Sequence, residues 1–213
     1  MTEIERHDER VMTVFGEGIV TTEPNEAVVA LGVITQDPDL SMAQGQNAEL
    51  VNNVIQVLMS EGIPREEIQT IDYSIQPQYD YVDGVQQFRG YQVTHILRVT
   101  VAEIARVGQV IDGAVDAGAN RVLDIQFSVS HPEVFYQIAL TRALEDAVAK
   151  AETLADSMNT ELDPIPIKVT ELSVDRPGIY QTFALTQSAG ETPIEPGQMD
   201  IKVRVEAKFH YLE

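Results

Sequence analysis

Along this chain the apolar positions change period several times, and each change marks an element. VMTVFGEGIV (11–20) and EAVVALGVIT (26–35) read as strands joined by TTEPN. The second is apolar on both faces from Ala27 to Ile34, the pattern of a strand central in its sheet. Leu50, Val51, Val54, Ile55 and Leu58 then recur at helical spacing behind two candidate caps, Asp37 and Asp39, and Gly62 and Pro64 close that helix. From Gln69 the period falls to two. Ile71, Tyr73, Ile75, Tyr79 and Tyr81 share one face, with Thr70, Asp72, Ser74, Gln76, Gln78 and Asp80 on the other. Asp83-Gly84 turns the chain, and Tyr91, Val93, Leu97, Val99 and Val101 return on one face, so the two runs form a hairpin.

Beyond the hairpin, EIARVGQVIDGAVDAG (103–118) predicts a shorter helix through Ile104, Val107, Ile111 and Val115, closed by Gly118. Leu123, Ile125, Phe127 and Val129 alternate with polar residues in another strand. Ser130 and Glu133 have capping-box spacing at the start of a third helix that runs to about Met158. Its seam is Ala139, Ala143, Ala147, Ala151 and Ala155, small enough for the helix to lie close on a sheet, with leucines at the margins. Ile165, Ile167 and Val169 keep one phase and Leu172 and Val174 the other, which predicts a strand with a bulge near Thr170 or Glu171. Met199, Ile201, Val203, Val205, Ala207, Phe209 and Tyr211 form the apolar face of the last strand. The order is ββαββ-αβαββ, an α+β fold with a largely antiparallel sheet and about three helices packed on one side. Residues 1–10 read as a polar tail and 11–213 as a single domain, in which 25–102 and 121–212 each follow β-α-β-β without a residue-level repeat.

Composition narrows the function classes. The chain has 34 acids against 14 bases, a formal charge of −20, and only four lysines (Lys150, Lys168, Lys202, Lys208). Phosphate backbones are bound by neutralising cations and no basic stripe is present, so nucleic acid is not an expected partner. The acidity reads as a well-hydrated surface. With no Cys there is no disulfide framework, thiolate metal site or Cys nucleophile. No apolar run approaches the ~20 residues of a membrane helix. MTEIERHDER lacks the apolar segment of a secretory leader, so with Met1 as the native start the chain is expected in the cytoplasm.

Catalytic chemistry finds little purchase. His7, His95, His131 and His210 show no helical zinc spacing and there is no HExxH; His95, in phase with Val93 and Leu97, reads as a core histidine. GEG at 16–18 lacks the third glycine and leads into a strand, which excludes the dinucleotide reading. GxxxxGK and GxSxG are absent, and DYVDG lacks the alternating acids of a calcium loop. Pairs such as Glu66-Glu67 or Glu191 and Glu195 are what 34 acids produce by chance. No catalytic, cofactor-binding or metal residue is assigned.

Two segments look built for contact instead. Strands of about 15 residues extend ~50 Å, against a diameter of about 45 Å for a compact domain of this length. The hairpin tip with Tyr79, Tyr81, Phe88 and Tyr91 is therefore expected to project or wrap, and aromatics of this kind anchor interfaces. RPGIYQTFALTQSAGETPIEP (176–196) exceeds an ordinary loop, and Ile179, Tyr180, Phe183 and Leu185 suit it to order against a neighbouring subunit.

Several stretches taken in order, VFGEGIVTTEPNEAVVALGVITQ, GIPREEIQTIDYSIQPQYDY, RGYQV, VGQVIDGAVDAGAN, ALEDAVAKAETLA and PIEPGQMDIKVRVEAKF, resemble the SIMPL-domain family, which includes the 26 kDa periplasmic immunogenic protein class. PQYDY, GAN and IEPG carry the more specific likeness. The resemblance implies an α+β domain exported to the periplasm or cell surface, with ring-like or hollow assemblies in some members and roles in envelope or oxidative stress. It supplies no catalytic motif. The expectation is a non-enzymatic, self-associating envelope protein without cofactor; the alternatives are a small-ligand or peptide-binding module using the same aromatics, and a carboxylate- or metal-dependent hydrolase.

Overall fold

The structure, a computed structural model, describes residues 10–172, 178–180 and 193–212. In chain order the elements are β1 (Val11–Thr22), β2 (Glu26–Asp37), α1 (Leu40–Ser60), β3 (Ile68–Val82), β4 (Val85–Val101), α2 (Val107–Asp116), β5 (Arg121–Ser128), α3 (Pro132–Met158), β6 (Glu161–Leu162), β7 (Lys168–Glu171), β8 (Gly178–Tyr180) and β9 (Gln198–Leu212). Every pairing among the described strands is antiparallel, in the α+β class that the periodicity predicts. The described strands form two sheets, and the chain divides into two compact units. Met1–Glu23, His131–Thr182 and Gly197–Glu213 make up the first, and Pro24–Ser130 with Phe183–Pro196 the second.

In the first unit β9 is central, paired with β1 along one side and with β6, β7 and β8 along the other. Met12, Val14, Gly16, Gly18 and Val20 lie opposite Phe209, Ala207, Val205, Val203 and Ile201, and this buried face carries α3 through its five seam alanines. The contact is closest at the glycines: a Cβ on Gly16 would lie 1.9 Å from the Ala143 carbonyl oxygen, and one on Gly18 1.9 Å from that of Ala139. GEG is thus a helix-docking site. Side chains of α3 also satisfy the outward backbone groups of β1. Lys150 Nζ donates to Phe15 O (2.9 Å), Arg142 donates to Ile19 O (2.6 Å) and Glu17 N–H donates to Asp146 (2.8 Å). The Lys150 ammonium and the Glu17 N–H hold the Asp146 carboxyl below its ordinary pKa. Covering an edge in this way removes a template for strand addition.

The second unit is a sheet in the order β3-β4-β2-β5. Its core joins Val29, Leu31, Val33, Leu97 and Val99 to Val51, Val54 and Leu58 of α1 and to Val107 and Val110 of α2. Asp39 caps α1 by accepting from Met42 N–H (3.1 Å). The GAN segment has a structural task here: the Asn120 side chain accepts from Ile34 N–H (2.8 Å) and donates to Ile34 O (2.8 Å), extending the β2–β5 ladder by one peptide-like rung.

Four local expectations are corrected. Ser130 does not cap α3; Asn25 engages it through two hydrogen bonds, and His131 occupies the cap position, its ring turned to Glu133 rather than to a backbone N–H of the helix. Leu123 leaves the buried face because the β2–β5 register shifts between Ala30 and Leu31. Ile71 falls in a similar shift of the β3–β4 register and is exposed. The strand expected from Ile165 begins at Lys168, since Pro164 and Pro166 have no N–H to give a ladder.

Candidate functional site: an aromatic ribbon

The β3–β4 hairpin closes with Val82 opposite Val85, leaving Asp83 and Gly84 as a two-residue loop. Their φ angles of 51° and 77° are those of a type I′ turn, which matches strand twist and favours Asp-Gly. β2 accompanies β4 only as far as Asp37 opposite Tyr91, so among the described residues Val85–Gly90 have β3 as their partner and no strand on the other side. Six residues at ~3.4 Å make a free two-stranded ribbon of roughly 20 Å. At its root the register shifts by one residue at Arg89, between the pairs Gln78–Gly90 and Tyr79–Phe88. Gly90 has φ 156°, and a Cβ there would meet Asp37 O at 2.7 Å, so only glycine lets the ribbon pass the β2–α1 corner.

The rings of the ribbon form a row. Tyr79 and Phe88 meet edge-on with centroids 5.8 Å apart, as do Phe88 and Tyr91 at 5.1 Å. Along the pleat this row continues the sheet face that α1 covers. Asn47 of α1 donates to Val33 O and Val93 O, Thr35 donates to Ala43 O, and Gln44 donates to Tyr73 OH. Next to Tyr73 lies His95, with ring centroids 5.3 Å apart, and Thr70 Oγ1 sits 2.9 Å from its Nε2. Partial burial lowers the His95 pKa below 6.5, partly opposed by the Asp72 carboxylate. α1 begins at Leu40, after β2 has ended, and past that point no described helix of the unit lies over the face. Tyr79 is 45% exposed, Tyr81 73% and Phe88 51%, while Tyr91 at the root is half-buried.

Four of the eight contact residues expected from the sequence therefore come together on one ribbon. Ile179 and Tyr180 fall in β8, of which the backbone alone is described, and Phe183 and Leu185 lie outside the described residues. A cleft of about 240 Å³ at the ribbon root is lined by Gln36, Asp37, Pro38, Gln78, Arg89 and Tyr91. Arg89 stands 3.7 Å from Asp80 with both side chains over half exposed, an ion pair of small worth. Among the described residues, no three His, Asp or Glu side chains converge as metal ligands. Sequence reading missed a second apolar surface, the hollow beside Phe15 in the first unit. Its signal was Phe15 itself, an aromatic at an outward position of β1.

The described residues thus form an antiparallel α+β scaffold with an exposed aromatic ribbon. A family model described as protein of unknown function (DUF541) matches residues 12–209, and the chain belongs to that family, SIMPL. The 26 kDa periplasmic immunogenic protein of Brucella melitensis biotype 1 is 31% identical over 211 residues, covering 93% of this chain and 83% of that protein. The uncharacterized protein YggE of Escherichia coli K12 is 28% identical over 150 residues, covering 70% of this chain and 61% of its own length. No described helix is long and apolar enough to cross a membrane.

Proposed function

We propose that this protein is a non-enzymatic, self-associating component of the cell envelope, and that the ribbon bearing Tyr79, Tyr81, Phe88 and Tyr91 is its principal contact. The uncovered aromatic row carries the reading: three rings close to half open or more stand on a ribbon that β2 and α1 leave bare. Monomeric proteins seldom leave such rings clustered without use. An extracytoplasmic location is proposed from the relative named periplasmic. Sedimentation velocity of the full chain at high protein concentration in 0.5 M NaCl tests the reading. Association that disappears in the double variant Tyr81→Ser, Phe88→Ser supports it; a strict monomer overturns it. A second reading, a module for a small polar ligand, is favoured by the cleft at the ribbon root with Arg89, Asp37 and Tyr91. It requires a metabolite that raises the melting temperature of the unmodified chain and fails to do so in Arg89→Ala.

A further inference from the structure

Among the described residues the ribbon has two free edges, and their backbone groups differ. A two-residue type I′ loop is closed by a hydrogen-bonded pair, here Val82 and Val85, and hydrogen-bonded and non-hydrogen-bonded pairs alternate from there. Gln86 and Phe88, opposite Tyr81 and Tyr79, therefore turn their N–H and C=O groups away from β3. On the β3 edge the outward positions are Tyr81, Tyr79 and, across the shift at Arg89, Pro77. A proline there costs the hairpin no hydrogen bond and denies an incoming strand its donor, one of the devices that guard sheet edges. The β4 edge has no such guard. Its alternating donors and acceptors fit one kind of occupant, an extended strand that returns a bond to each.

Charge and symmetry say which strand. Val85–Gly90 reads VQQFRG, with one cation and no acid in a chain of net charge −20. Two copies of this stretch meet without opposing carboxylates, whereas β3 would bring Asp72 and Asp80 together with Pro77. Identical strands that pair antiparallel are related by a two-fold axis. With that axis at Gln87, Gln86 of each copy exchanges hydrogen bonds with Phe88 of the other, and every outward group of both residues is satisfied. Gln86 and Phe88 share the aromatic face with their partners Tyr81 and Tyr79. Gln86 then stands between Tyr81 of its own copy and Phe88 of the second, so the two aromatic rows join.

We infer that the ribbons of two copies pair antiparallel through their β4 edges, Val85–Gly90 against Val85–Gly90 about Gln87, into a four-stranded sheet. This rests on the self-association proposed above and names its contact. The interface is isologous and closes at a dimer. Strands this short bury less than the ~800 Å² per partner of a standard interface, so the contact exchanges readily and fills only at high protein concentration.

The absence of cysteine allows a direct test. Gln87→Cys places one thiol on the axis, in a non-hydrogen-bonded pair whose Cα atoms lie ~4.5 Å apart, within disulfide range. Gln76→Cys places one on the same face of β3, the guarded strand. Under mild oxidation at high protein concentration in 0.5 M NaCl, the first is expected to form disulfide-linked dimer at least about fivefold faster than the second. In a second arm, Gln86→Pro removes an outward N–H, keeps all four rings and leaves the β3–β4 ladder intact. It is expected to sediment as a monomer where the unmodified chain associates, with the melting temperature of the parent. Equal cross-linking of the two cysteine variants overturns the edge pairing, as does a Gln86→Pro chain that associates like the unmodified one. In those cases self-association through the rings stands. An unmodified chain that stays monomeric, with neither thiol cross-linking, overturns both readings.

Discussion

Gly18→Ala puts a single methyl group against the closest approach in the first unit. The new carbon would lie 1.9 Å from Ala139 O and 2.6 Å from Ala143 N, both backbone atoms of α3 that no rotamer change can move. Ordinary contact begins about 1.5 Å farther out, so the helix must lift from β1 by about that much or the strand must bow. A lift of ~1 Å already forfeits a quarter to a half of each dispersion contact along the seam. It also strains the bonds from Arg142 to Ile19 O and from Lys150 to Phe15 O, and that from Glu17 N–H to Asp146. Overpacking costs about 1–3 kcal/mol, and the weakened hydrogen bonds add about 1 kcal/mol each. The expected loss is about 4–6 kcal/mol, read in a urea titration followed by far-UV circular dichroism as a midpoint lowered by ~2–3 M with little change in slope. Gly45→Ala is the control of opposite sign. It adds the same methyl within α1 where no atom lies within 4 Å, and should stabilise by up to ~1 kcal/mol through helix propensity. A Gly18→Ala midpoint within 0.3 M of the parent, about half a kcal/mol, would refute the account of GEG as a docking site.

Three further outcomes are expected. Asn120→Ala deletes both bonds to Ile34 and should cost about 2 kcal/mol; Asn120→Asp removes the donor and sets a carboxylate against Ile34 O, so it should be at least as damaging in the same titration. The folded state holds His95 below 6.5, so the unfolded chain binds more protons between that value and the folded one. Stability is therefore complete above pH 6.5 and declines as pH falls toward the folded pKa. His95→Gln should flatten that part of a melting-temperature profile, leaving the later acid loss due to Asp146 below 3.8. Copies of net charge −20 repel, so the sedimentation coefficient at fixed protein concentration should rise from 0.05 to 0.5 M NaCl as the Debye length contracts; a fall would mean that ion pairs dominate the contact.

What the sequence made legible follows the range of the signal. β1, β9 and the alanine seam of α3 are each written in a local period, and their faces fall where alternation and i, i+4 spacing put them. The reason for Gly16 and Gly18 lies on α3, more than a hundred residues away in sequence, so no local pattern could supply it. Phase counting failed at Ile71 and Leu123 because a bulge is decided by the partner strand, which adds or omits one residue opposite a fixed neighbour. It failed at Ser130 because Asn25, from the turn before β2, outcompeted the helix for that side chain. The aromatic ribbon was visible as a motif. Its bare state was not, since that depends on β2 ending at Asp37 while the hairpin runs on to Val82.

The segments that carry the family likeness divide by what they do inside the molecule. In VFGEGIV the glycines admit α3; in RGYQV Gly90 clears Asp37; in GAN Asn120 completes a ladder rung. In IEPG, Ile194 packs against the core of the second unit and Gly197 takes φ 66°. Each is used up by the scaffold. PQYDY differs: Tyr79, 45% exposed, meets the edge of Phe88, Tyr81 is nearly three-quarters exposed, and truncating either opens no core cavity. Tyr81→Ser should therefore leave the urea midpoint within the ~0.5 kcal/mol typical of surface changes while reducing self-association. A side chain dispensable for folding and required for assembly is the signature of a contact residue, and a Tyr81→Ser chain that lost stability instead would return the ribbon to the scaffold.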